Sequence, residues 1–208
     1  YDISTKTFAG DSERCVFNLD TGDQGQQLYD LEITSDGMKI LVASRRNVQN
    51  RDFDKVYVLN LTSPYDISSC TRASATNDLD SDDFQNGSFA GNRTDNNDGR
   101  SKNMLEGVEI NDDGTKLFLV YRDNNASDGV GGRLLEYNLL TPYDVSESSL
   151  SLVTTAGIKL TENDSTGAHG PTSIRFRPDG KRLFIVNHAH NGTARVLQIS
   201  LTNAFDTS

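Results

Sequence analysis

Three histidines stand near the end of this 208-residue chain: His169, His188 and His190. Imidazole nitrogen is a common zinc and copper ligand, and residues two apart on an extended segment point to one side. If the loops that carry them share a rim, they form a candidate metal centre. No carboxylate is paired with them locally, so polar surface histidines are the competing reading. Asp78, Asp80 and Asp82 place carboxylates at alternate positions, as calcium loops do. The sixth place of that loop is Asp83 rather than Gly and the twelfth is Phe89, so a solvated acidic loop competes there. Calcium is the cofactor this spacing admits; otherwise none is expected.

Nucleophile elbow, Walker loop, dinucleotide fingerprint and zinc-protease motif are all missing from the sequence. The chain therefore reads as a non-enzyme more readily than as an enzyme, and no catalytic residue is assigned. Asn-x-Ser/Thr acceptors occur at Asn60, Asn86, Asn92, Asn125, Asn163 and Asn191. Five fall in expected loops, where a glycan fits, while Asn60 sits at the end of a strand. Cys15 and Cys70 are the two cysteines, open to a disulfide with each other, an intermolecular bond or free thiols.

Net charge is −10, which disfavours nucleic acid and anionic membrane as partners. No apolar run approaches the roughly 18 residues of a membrane span. The runs that exist, Leu117–Val120 and Leu183–Val186, have strand length. The start, Tyr-Asp-Ile-Ser-Thr, carries no basic or apolar leader and reads as that of a mature or excised chain.

The elements that must position these residues are repeated. Tyr1-Asp2-Ile3-Ser4 returns as Tyr65-Asp66-Ile67-Ser68, as Tyr143-Asp144-Val145-Ser146 and as Phe205-Asp206-Thr207-Ser208. A second block, Leu31–Val42, returns as Val108–Val120 and Ile174–Val186, each with Asp-Gly at its centre. Alternating residues, an Asp-Gly turn and an apolar run make a hairpin. A third strand follows a variable loop in each unit: Val56–Leu59, Leu134–Tyr137 and Val196–Ile199. The Tyr-Asp segment then leads into a polar fourth strand. Four antiparallel strands per unit predict an all-β chain of propeller blades, with units of about 1–64, 65–142 and 143–208.

These blocks resemble the Tyr-Asp-Ile-Ser-Thr … Asp-Gly-x-Lys propeller repeats of secreted or surface proteins of aquatic bacteria and their phages. They are more distantly similar to WD-repeat and TolB-like blades. The resemblance implies fold more than function. Closed propellers use four to eight blades, so three imply completion by another copy or membership of a longer propeller. Strand a carries Glu32, Glu109 and Arg175 at matching places, suited to an ion pair between blades. Leu31, Ile33, Val108, Ile110, Ile174, Phe176, Leu41, Phe118 and Phe184 are the expected core. Adjacent blades could bring Cys15 and Cys70 within bonding range, and an oxidising compartment would keep the bond.

The leading expectation is a non-enzymatic extracellular or cell-surface structural module. It would be a self-assembling subunit of a fibre, appendage or surface layer, with other copies of itself as partner. The alternatives are a fragment of a lactonase-like propeller hydrolase and a carbohydrate- or protein-binding propeller.

Overall fold

The computed structural model describes residues 14–17, 26–48, 51–52, 54–76, 103–123, 132–153, 158–159, 170–188 and 195–207. They form three antiparallel sheets. The first contains β1 (Gln26–Ile33), β2 (Lys39–Val48), β4 (Lys55–Asn60) and β5 (Thr71–Ala75) in that spatial order, with the short β3 (Arg51–Asp52) beside β2. The second runs β6 (Asn103–Ile110), β7 (Lys116–Asp123), β8 (Gly132–Leu139). Its outer edge is filled by β9 (Leu150–Leu152) and β10 (Ile158–Lys159), both on β8. The third is β11 (Gly170–Phe176), β12 (Arg182–His188) and β13 (Arg195–Ser200), three strands among the described residues. This is the propeller-blade architecture that the repeats predict.

Each Asp-Gly block builds the same hairpin. The N–H groups of Gly37, Gly114 and Gly180 donate to the carbonyls of Thr34, Asn111 and Arg177 at 2.8–2.9 Å. The preceding Asp36, Asp113 and Asp179 carboxylates accept from the N–H two residues on, at 2.9, 3.1 and 3.0 Å. Only the glycine of each pair takes the left-handed backbone, at φ 69°, 71° and 68°. The turn is thus a four-residue connection closed by glycine rather than a two-residue hairpin, which would need positive φ at Asp as well.

The two repeated blocks are physically one. The N–H groups of Tyr65, Tyr143 and Phe205 donate to the carbonyls of Gly37, Gly114 and Gly180 at 2.8, 2.9 and 2.9 Å. Their side chains lie against those glycines. All three aromatics have positive φ, 60°, 61° and 54°, a costly state for a bulky residue. The Tyr65 hydroxyl donates to Ser35 O at 2.7 Å and that of Tyr143 to Asp112 O. A hydrogen bond and a ring contact at each site offset the strain.

Blades stack through alternate residues of their second strands. Leu41 and Ala43 join Leu117, Leu119 and Tyr121 in one buried cluster. Phe118 and Val120 join Leu183 and Ile185 in the next. Burial of this kind is worth about 25 cal/mol per Å² of apolar area. Val108, Ile110, Ile174, Leu41 and Phe118 are buried as expected. Leu31 departs from expectation at 53% exposed, because it sits on the side of β1 turned away from the second blade. Phe184 also departs, being half-buried on the side of β12 turned away from that blade. Ile33 and Phe176 are likewise half-buried. Among the described residues no helix is long and apolar enough to cross a membrane.

Candidate functional site

The inner strands β1, β6 and β11 stand side by side, and each slips register at one place. The slips fall between Leu28 and Asp30, Leu105 and Gly107, and Pro171 and Ser173. Such bulges bend a strand and re-aim its side chains. Beyond them Glu32, Glu109 and Arg175 occupy one register, opposite Leu41, Phe118 and Phe184.

Arg175 spans all three blades. Its Nη1 donates to Glu109 Oε2 at 3.1 Å, to Val108 O at 3.2 Å and to its own strand at Ile174 O, 2.6 Å. Nη2 donates to Leu31 O at 3.0 Å and to Asp30 Oδ1 at 3.4 Å, while Nε lies 3.4 Å from Glu32 Oε2. The ion pair expected between Glu109 and Arg175 is therefore present, and it is wider than a pair. The second oxygen of Asp30 accepts from Val108 N at 3.2 Å, and Glu109 Oε1 accepts from Phe176 N at 3.4 Å.

One guanidinium faces three carboxylates, and two of them, Glu32 and Glu109, hold their protons more tightly than usual. Burial, reinforced by the charge of Glu32, pushes the Glu109 carboxyl up to about 8 against the pull of Arg175. Burial likewise raises Glu32, with Arg175 opposing. Glu109 thus holds its proton more tightly than an ordinary carboxylate while its Oε2 stays paired with the guanidinium. Both Glu109 oxygens are engaged by the third blade, so the group joins blades.

A second polar clamp was not read from the sequence. Glu136 in β8 is buried, and its Oε2 accepts from the N–H and hydroxyl of Thr207 at 2.9 and 2.8 Å. Its Oε1 pairs with Lys116 Nζ. The signal was one carboxylate inside the apolar run Leu134-Leu135-Glu136-Tyr137. The first junction answers the same need with apolar groups: Val58 and Val145 share one cluster there.

Cys15 and Cys70 are joined by a disulfide with Cα atoms 5.6 Å apart. Phe17 packs on Tyr57 with ring centroids 5.4 Å apart, so the bond lies beside an aromatic contact on the first blade. Of the histidines, His188 ends β12, while His169 and His190 lie outside the described residues. Asp78, Asp80 and Asp82 lie outside them too, as do Asn86, Asn92, Asn125, Asn163 and Asn191. Asn60 ends β4, and its Oδ1 accepts from Lys39 Nζ at 2.7 Å. Among the described residues no group of three or more His, Cys, Asp or Glu is placed to hold a metal ion.

The fold defines the class: an all-β chain of propeller-type blades. No protein-family model matches the chain, and no curated protein does. Among solved structures it is similar to PpgL, a periplasmic gluconolactonase from Pseudomonas aeruginosa, at 18% identity and a TM-score of 0.40. That match covers 82% of this chain and 40% of the gluconolactonase, so the chain spans well under half of that structure's length.

Proposed function

We propose that this chain is a non-enzymatic structural module of the extracellular space or cell surface, a propeller-repeat subunit that assembles with other copies of itself into a fibre, appendage or surface layer. The observation that carries the reading is Arg175. Among the described residues the inner-strand charges are engaged in tying three blades together. The Cys15–Cys70 disulfide supports an oxidising compartment. Glycans on the loop acceptors Asn86, Asn92, Asn125, Asn163 and Asn191, and calcium at Asp78–Asp82, belong to the same reading as additions to a surface structure. Light scattering of the purified chain over a concentration series tests it. Masses that climb in multiples of the 22.8 kDa chain are expected. A single-chain mass at every concentration overturns it.

A further inference from the structure

Successive blades of this chain meet in one repeating register. The first blade offers Leu41 and Ala43 on β2, paired with Val58 and Val56 on β4, and all four are buried against the second blade. The second offers Phe118 and Val120 on β7, paired with Glu136 and Leu134 on β8, again all buried. The third carries Phe184 and Val186 on β12, paired with Gln198 and Val196 on β13. This face is open: Val186 is 43% exposed and Val196 69%, and Gln198 is exposed as well.

Such a face receives the opposite side of another blade. In this chain that side is formed by Leu117 and Leu119, then by Leu183 and Ile185. The matching pair in the first blade is Ile40 and Val42, and there Cys15 and Phe17 pack into the cluster together with Ile67. Ile67, Val145 and Thr207 hold the same place in the three repeated segments. Val145 reaches the preceding blade, where its N–H meets Ser74 Oγ of β5 at 3.4 Å. Thr207 reaches Glu136 of β8 in the blade before it. Ile67 packs instead against the first-blade cluster that Cys15 and Phe17 also cover. The Arg14–Phe17 segment therefore stands where the outer strands of a preceding blade would stand. The blade that has room for such a strand is the third, since β13 pairs only with β12 among the described residues.

Charge placement agrees. Lys39 Nζ lies 5.4 Å from the centroid of the Tyr143 ring on the following blade. Arg182 holds the place of Lys39 in the third blade and is exposed. Tyr65, the first-blade equivalent of Tyr143, is 61% exposed. A guanidinium over an aromatic face is a favourable contact.

We propose that a second copy of this chain seats its first blade on the third, over Phe184, Val186 and Val196, with its Arg14–Phe17 segment along the open edge of β13. The inference rests on the self-assembly reading and names its two surfaces. The contact is head-to-tail: the surfaces differ, so each added copy presents a fresh third blade. Strand addition gives partners to the backbone groups on the edge of β13.

The test uses the disulfide-bonded chain and two half-blocked variants, each checked for fold by circular dichroism. Val186→Asp with Val196→Asp blocks the third blade, and Phe17→Asp blocks the first. Arg182→Glu, at an exposed position, replaces the double variant if that one unfolds. Each variant alone should sediment as a monomer, its self-association weakened about 100-fold or more by burial of an unpaired carboxylate. An equal mixture of the two should form a species of two chains, because one intact pair of surfaces remains. Unaltered assembly by the third-blade variant overturns the seat and leaves the self-assembly reading standing. Two monomeric variants that yield no mixed dimer overturn the head-to-tail arrangement. A parent chain that never assembles overturns both readings.

Discussion

The ring of Tyr143 lies so close to Gly114 that a β-carbon there would come within 2.5 Å of its Cδ2 and Cε2 atoms. The same contact recurs between Tyr65 and Gly37. It locks the hairpin at one end of a blade to the segment that leads into its outer strand. Gly114 meets two demands at once, a left-handed backbone at φ 71° and a bare α-carbon under the ring. Gly114→Ala should therefore destabilise the chain by about 2–4 kcal/mol, more than either demand alone. Urea melts of the purified variant check this, and a loss below about 1 kcal/mol would show that the ring moves aside freely.

Stability should fall as pH rises from about 4.5 to about 8. Glu109 keeps its proton in the folded chain up to about pH 8, whereas its ordinary value is 4.5. Between those values the folded state binds more protons than the unfolded one, so the unfolding free energy declines with pH. The contribution is complete below about pH 4.5 and is lost as pH rises through 8. Glu109→Gln keeps the neutral shape and cannot ionise. Its stability should match the parent near pH 5 and exceed it above pH 8 by about 4 kcal/mol. Parallel stability curves for the two proteins from pH 5 to 9 would refute the assignment.

Glu136 and Thr207 should behave as a coupled pair. Glu136→Val alone leaves the Thr207 hydroxyl and N–H without their acceptor, at about 2–3 kcal/mol. Adding Thr207→Val recreates the apolar pairing that Val58 and Val145 make at the first junction. A double-mutant cycle by chemical denaturation should return a coupling of about 1 kcal/mol or more. Additive losses would mean that the two junctions are not equivalent.

Phe118 and Phe184 occupy the same place in consecutive blades with different surroundings. Phe118 is fully buried between blades and packs on Phe176 with centroids 4.5 Å apart. Phe118→Ala should cost about 3–5 kcal/mol in thermal or urea melts. Phe184→Ala, in dilute conditions where the chain is alone, should cost about 1 kcal/mol or less, because the side chain already meets water. Equal losses would place another element over the third blade.

Much of the architecture was legible because it rests on local rules applied three times. The Asp-Gly turns, the alternating strands and the three second strands follow from residue type and spacing, since turn chemistry and strand period act over a few residues. The matched places of Glu32, Glu109 and Arg175 also pointed to charge contacts between blades. What the repeats left open was every quantity set by distance through space. The separation of Gly114 and Tyr143 is 29 positions along the chain, yet they touch; neither block contains the reason for the other. Arg175 was expected to meet one carboxylate and reaches Asp30 and Glu32 of the first blade as well, a reach set by how the inner strands stand side by side. Leu31 and Phe184 look like core residues by pattern, yet Leu31 is exposed and Phe184 only half-buried, because strand alternation says which side a residue faces but not whether another blade lies there. Only stacking decides that: Val120 is dry between two sheets, and Val186, at the same place in the third, meets water.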